Sequence, residues 1–178
     1  MNHELSSGRL SLRPIETAEA ADLHRLWMDK RVRHFLWDGK VIPPAQTEEI
    51  TVKSRRLFEE SGFGIWGVHA RDADLLIGFA GYWYVRTPPS LELLYGVAAD
   101  YWNRGIATES SRCVVRYGFE VLGFGRIDAS ADAENAASVR VMEKLGMAFG
   151  KRETVDGLDT VFYALHRNAW QNVNEHSV

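Results

Sequence analysis

The chain has 178 residues, 46% of them hydrophobic and 25% charged, with a formal net charge of −3. This is enough chain for one domain with a sizeable core, and the balance of charge excludes a protein built to hold nucleic acid through a basic excess. The one cysteine, Cys113, excludes an internal disulfide framework, and no apolar run approaches the ~18 residues of a membrane span.

Residues 1–6 lack a basic region followed by an apolar one, so no signal peptide and a cytoplasmic location are expected. Residues 9–15 alternate apolar and polar side chains and predict a first strand stopped by Pro14. Thr17 is placed to cap a helix, because Ala18, Ala21, Leu23, Leu26 and Trp27 keep a mostly helical spacing up to Asp29. An aromatic segment over 32–37 ends at the turn signal Asp38-Gly39. Pro43-Pro44 then precedes a second helix over 45–60, closed by Ser61-Gly62. From there the period becomes two. Residues 64–70 and 75–84, separated by the polar turn Arg71-Asp72-Ala73-Asp74, predict an antiparallel hairpin. Residues 91–97 add a third strand after the turn Thr87-Pro88-Pro89-Ser90. A helix over 107–122 and a short strand over 126–130 follow, a strand–helix–strand connection that predicts parallel pairing. Glu134-Asn135 opens another helix, closed by Leu145-Gly146. Residues 147–155 and 158–166 flank Asp156-Gly157, a strong hairpin turn. The order β-α-α-β-β-β-α-β-α-β-β describes an α/β protein, a single domain over 1–178 with its core at about 9–170. Its frame is a mixed sheet of about seven strands, with the central helix as crossover.

The turn Asp100-Tyr101-Trp102-Asn103-Arg104-Gly105-Ile106-Ala107-Thr108 joins a strand to that central helix through glycine. A turn of this kind aims several backbone N–H groups at one spot, and the helix dipole adds partial positive charge, which makes a candidate anion site. Glycine placed there for steric reasons alone gives the same pattern, so the turn by itself decides nothing. Cys113 reads as a small buried apolar residue of the helix. The basic runs Lys30-Arg31-Val32-Arg33-His34 and Lys53-Ser54-Arg55-Arg56 read as solvated helix faces.

Two blocks and the element order resemble the GNAT acyltransferase superfamily over nearly the whole chain. The first is Trp102-Asn103-Arg104-Gly105-Ile106-Ala107, at the spacing of the family's Q/R-x-x-G-x-G/A, with Trp102 departing from Gln/Arg. The second runs from Asn135 through Ser138 and Met142 to Met147. Together with the terminal hairpin and Trp170, it is similar to the subgroup of ribosomal-protein N-terminal (alanine/serine) acetyltransferases. The resemblance implies acetyl-CoA as cosubstrate, with no metal. Its pyrophosphate would lie on Asn103, Arg104, Gly105, Ile106, Ala107 and Thr108, and its pantetheine beside the backbone of Tyr95, Gly96 and Val97. Asn135 would contact the pantetheine. Many members carry a tyrosine where this chain has Met142; Ser138, one turn earlier on the same helix face, is the substitute donor to the leaving sulfur.

The implied reaction is acetyl transfer to a primary amine, either a protein N-terminal α-amine or a small-molecule amine, by direct attack in a ternary complex. Deprotonating a lysine amine (~10.4) at pH 7 costs about 4.6 kcal/mol, an α-amine (~7.7) only about 1 kcal/mol, so a water-relayed carboxylate suffices for the latter. Glu92, in a strand of otherwise apolar residues, is the candidate base; its structural alternative is a salt bridge. Glu109 and His69 are weaker candidates. The competing class is a non-catalytic acyl-CoA-binding regulatory domain. Neither nucleic acid nor membrane is an expected partner, and the chain is expected to be a monomer or homodimer. The basic runs lean weakly toward an anionic or peptide acceptor.

Overall fold

The chain runs β1 (Leu5–Ser6), β2 (Leu10–Pro14), α1 (Ala20–Met28), α2 (Lys30–Leu36), α3 (Pro44–Ser61), β3 (Ile65–Ala70), β4 (Leu75–Val85) and β5 (Ser90–Val97). It continues with α4 (Ile106–Glu120), β6 (Arg126–Asp132), α5 (Ala136–Lys144), β7 (Ala148–Val155), β8 (Leu158–His166) and α6 (Arg167–Glu175). The computed structural model describes residues 3–86 and 88–175, with side chains to residue 171. Met1 and Asn2 of the N-terminal segment, and Thr87 of the predicted turn, lie outside the described residues.

Eight strands form one sheet in the order β1-β2-β3-β4-β5-β6-β8-β7, one more than the sequence pattern indicates. The addition is the two-residue β1, too short for any periodicity to register. Two helices also escape the pattern. Asp29 caps α2 by accepting from Arg31 N–H, within what reads as an aromatic segment. The tail, which shows little patterning, forms α6 and buries Trp170. Thr17 is not a cap. It lies inside a 3-10 turn, Thr17–Glu19, where the Glu19 carboxylate accepts from Glu16 N–H at 3.2 Å. The same carboxylate bonds Nε2 of the fully buried His69 at 2.7 Å and Arg13 Nη2 at 3.3 Å, so the sheet fixes the start of α1. That network gives His69 a structural task. The Asp156-Gly157 turn behaves as read: both residues have positive φ (51° and 85°), the geometry that matches strand twist.

All strand pairs are antiparallel except β5–β6, whose crossover is α4. The sheet divides the core in two. The larger cluster holds Leu93 and Val97 of β5, Ile127 and Ala129 of β6, Val114 and Val115 of α4, and Met142 of α5. The smaller holds Leu23, Leu26 and Trp27 of α1, Val32 of α2, and Ile65 and Phe79 of the sheet. Alternation along β5 thus sends Leu91, Leu93, Tyr95 and Val97 toward α4, and Glu92 and Leu94 toward α1 and α2. Among the described residues, no helix is long and apolar enough to cross a membrane.

Candidate active site

Where β5 ends, the backbone builds an anion cradle. After the 3-10 turn Ala99–Tyr101, Asn103 and Gly105 take left-handed conformations (φ 59° and 74°), and α4 begins at Ile106 with no side-chain cap. Glu109 N–H is the first to bond back into the helix, onto Gly105 O at 3.0 Å. The N–H groups of the first turn therefore face out of the helix end, an array suited to an anion. Asn103, Arg104, Gly105, Ile106, Ala107 and Thr108 all lie on this turn. Trp102 has its own task, since its indole N–H donates to Val97 O at 2.8 Å and pins the turn to β5.

Two side chains near the cradle are arranged in ways no motif conveys. Arg104 lays its guanidinium over the Tyr101 ring, 5.2 Å from the centroid. Arg9, just before β2, donates to Arg104 O and to the Glu109 carboxylate, each at 2.8 Å, and so brings a second guanidinium to the turn. Ser7 Oγ also donates to Glu109 at 2.6 Å. Burial pushes the Glu109 carboxyl up, but its bonds from Ser7 and Arg9 outweigh that and hold it below the ordinary value. Glu109 ties the N-terminal strands to α4 and is not a free base. Arg9 is legible only in the fold, because 95 residues separate it from Arg104.

Beside the cradle, the parallel pair β5–β6 is in register at one position, Glu92 opposite Asp128. Beyond it no pair registers, so past Glu92 and Asp128 the two strands face each other unbonded, an opening in the ladder. Ala98 N–H donates to Ile77 O, so by antiparallel alternation Tyr95 and Val97 turn their peptide groups toward the opening, whereas Gly96 turns its own toward β4. Gly96 is glycine for packing: a Cβ there would lie 2.5 Å from the Phe79 ring. Of the three β5 residues expected to border the opening through their backbone, two are oriented for it.

The Tyr95 hydroxyl reaches from β5 to α5, 2.9 Å from both the carbonyl and the Oγ of Ser138. Burial pushes its phenol up to about 12 against the opposing bond from Ser138, so it stays a neutral donor. Asn135 caps α5, its Oδ1 accepting from Ser138 N–H at 3.1 Å, and thereby fixes where Ser138 stands. Met142 is wholly buried in the larger cluster, and the phenol that stands beside Ser138 comes from Tyr95 of β5. Sequence spacing gives no hint of this, because Tyr95 and Ser138 are 43 residues apart.

On the α1–α2 side, Glu92 is 5% exposed. Its carboxylate accepts from Ser130 Oγ at 2.6 Å and pairs with Arg86, which also donates to Ser130. Both readings of Glu92 therefore meet in one residue: it is a buried carboxylate and it is salt-bridged. Each carboxylate oxygen accepts one of those bonds and keeps a second lone pair that can take a proton. At the far end of β6, burial raises the Asp132 carboxyl, as do Asp38 and Glu134, with His34 opposing. Trp27 lies against Phe79, 5.7 Å between centroids, and thus close behind Gly96. The indole N–H groups of Trp27 and Trp37 are buried with no hydrogen-bond acceptor among the described residues. Within the basic runs, Arg31 pairs with Asp29 and Asp100, Arg55 with Glu59, and Arg56 with Glu60.

Residues 9–148 match the family described as acetyltransferase (GNAT) domain. The N-acetyltransferase YoaA of Bacillus subtilis (strain 168), itself described as uncharacterized, is 29% identical over 143 residues, covering 80% of this chain and 81% of its own length. An acetyltransferase (GNAT family) from Bacillus anthracis superposes with a TM-score of 0.78 at 23% identity, covering 93% of this chain and 99% of that one. RimL, a ribosomal L7/L12 α-N-protein acetyltransferase solved in complex with coenzyme A, superposes with a TM-score of 0.76 at 17% identity, covering 92% and 97%.

Proposed function

The chain belongs to the GNAT acetyltransferase family, and from that premise we propose that it moves the acetyl group of acetyl-CoA to a primary amine by direct attack in a ternary complex. The observation that carries this reading is the opening between β5 and β6. It has a cradle of N–H groups at one end, and a hydroxyl pair and a buried carboxylate on its two sides. The backbone of Asn103 through Thr108 holds the pyrophosphate, with Arg104 and Arg9 adding charge. Tyr95 and Val97 offer peptide groups along the pantetheine, and an N–H there stabilises charge on the thioester oxygen as it develops. Asn135 sets the register of α5 on that chain. Ser138 donates to the departing sulfur. Tyr95 donates to the Ser138 carbonyl, and its oxygen lies 2.9 Å from Ser138 Oγ, which holds the serine hydroxyl in place until the sulfur departs. A thiolate of pKa ~8.5 needs no stronger acid at neutral pH. Glu92 accepts the amine's proton, with Ser130 steadying the carboxylate.

The acceptor reads as the α-amine of a peptide N-terminus. An α-amine (~7.7) costs less to deprotonate at neutral pH than a lysine-type amine (~10.4), which favours a peptide N-terminus. Acetyl-CoA turnover on a panel of N-terminal peptides, their N-blocked counterparts and small amines tests this. Turnover on free N-termini is expected. Binding of coenzyme A with no turnover on any amine would reduce the protein to an acyl-CoA-binding domain.

The cradle has its own test. A Cβ on Gly105 meets only Arg9 Nη2, at 3.7 Å, so the fold has room for a side chain apart from the strain of φ 74°. Gly105→Val is expected to weaken coenzyme A binding about tenfold in calorimetry, because the new methyls stand where phosphate oxygens approach the backbone. Affinity within about twofold of the parent would remove the pyrophosphate from this turn.

A further inference from the structure

Neither donor binding nor proton transfer gives Arg86 a task, yet it occupies the acceptor side of the site. It follows β4 directly and holds a left-handed backbone (φ 66°), which a residue other than glycine rarely adopts. From there its guanidinium pairs with Glu92, donates to Ser130, and lies 4.7 Å from the centre of the Phe162 ring. A carboxylate, a hydroxyl and an aromatic face are the three partners that a primary ammonium ion also takes. Glu92 is buried, and a buried carboxylate stripped of its cation is costly. A positive charge therefore has to stand beside it both before and after the acceptor arrives.

We propose that Arg86 is the resting occupant of the acceptor-amine position, and that the acceptor enters as an ammonium ion which displaces the guanidinium and inherits its contacts with Glu92, Ser130 and Phe162. Arg86 is then a specificity-determining residue. Exchange of cation for cation admits charged primary amines and excludes neutral nucleophiles such as alcohols, which would leave Glu92 unpaired. Outward of the pair, Glu153 on β7 and Asp156 in the following turn exert their charge on the guanidinium; Glu153 pairs with Lys151, whose ammonium lies 4.8 Å from the centre of the same Phe162 ring. This inference rests on the reading of Glu92 as the base.

Displacement adds to the acceptor KM. If the Arg-in state outnumbers the Arg-out state about tenfold, KM is raised about tenfold over its intrinsic value. The test compares Arg86→Ala and Arg86→Gln with the parent, measuring kcat and KM for Ala-Ala-Ala amide and for spermidine, with and without methylguanidine. In either variant, KM for the amine is expected to fall about tenfold while kcat does not fall, and methylguanidine is expected to raise KM again by competing for the vacated position. An unchanged or higher KM, or a drop in kcat, would overturn the proposal and make Arg86 a fixed part of the site. The glutamine variant retains side-chain volume and answers the question if the alanine variant does not fold. Glu92→Gln run in parallel separates the two readings. If it leaves turnover intact, Glu92 is not the base; if it slows turnover while KM in the Arg86 variants does not fall, only the Arg86 assignment fails.

Discussion

Replacing Glu92 with glutamine lowers kcat by about 10²–10³-fold and leaves the KM for acetyl-CoA within about twofold. Glutamine retains the shape of the side chain and an oxygen to accept from Ser130 Oγ, so the opening between β5 and β6 is undisturbed and the donor still binds. What disappears is the group that removes the amine's proton. The loss is largest at low pH, where the amine is protonated, and shrinks as pH approaches the amine's own pKa, ~7.7 for an N-terminus and ~10.4 for a lysine. A pH profile of kcat/KM from 6 to 10 on parent and variant reads this directly. An identical profile shape, or a kcat within about threefold, would take Glu92 out of the mechanism. Loss of the Arg86 pairing is the competing explanation. Breaking a fully buried pair costs about 3–5 kcal/mol, but the Arg86 side chain is 24% exposed and can turn to water, so the cost here is smaller. A melting curve distinguishes the two, since a catalytic role predicts a kcat loss far larger than any change in Tm explains.

Gly118→Ala is expected to destabilise the protein by about 2–3 kcal/mol, although alanine is the better helix former by about 1 kcal/mol. At Gly118, α4 lies close against Tyr82 of the sheet. A Cβ there would lie 2.1 Å from Tyr82 Oη and 2.9 Å from its Cζ, well inside contact distance. Tyr82 is fully buried and donates to Val114 O at 3.0 Å, so it has no room to withdraw. The helix must lift, and its lift is felt at its first turn, where the cradle N–H groups stand. Tm is therefore expected to fall by roughly 5–10 °C, with coenzyme A affinity falling alongside. Tyr82→Phe removes the clashing oxygen, so the double variant Gly118→Ala/Tyr82→Phe is expected to recover part of the loss. A Tm shift under about 2 °C, or no coupling between the two sites, would contradict this account of the helix–sheet contact.

The order of the long elements was legible because each carries a local signal. Asn135 and Gly146 bracket α5 as a cap and a stop, Asp156-Gly157 forces a hairpin, and the two-residue period marks β3 to β5. The cradle was legible for the same reason, since glycine and a helix start are neighbours in the chain. What the pattern missed is held by contacts distant in sequence. β1 exists because it pairs with β2, and with Ser7 and Arg9 it leads into the staple on Glu109, 102 and 100 residues away. Tyr95 meets Ser138, and Glu92 meets Ser130, only because α4 carries the chain across the sheet. Gly96 looks like part of a binding backbone in sequence, and only the position of the Phe79 ring reveals its packing role. The acceptor stayed silent in the sequence because α1 reads as an ordinary amphipathic segment and α2 as an aromatic one, with no motif to mark an incoming amine.

The division of the core by the sheet also bears on how such a protein changes over evolutionary time. On the proposed reading, α4, β5 and α5 hold the donor, and they pack into the larger cluster, where a substitution disturbs packing across much of the molecule. The helices α1 and α2 pack into the smaller cluster around Trp27 and Phe79, on the opposite side of the sheet. Mutations there can reshape the amine pocket while the coenzyme cradle and most of the folding free energy stay intact. A scaffold partitioned in this way can drift among acceptors through a series of folded, donor-competent intermediates, so directed evolution for a new amine should begin on α1 and α2 and leave α4 alone.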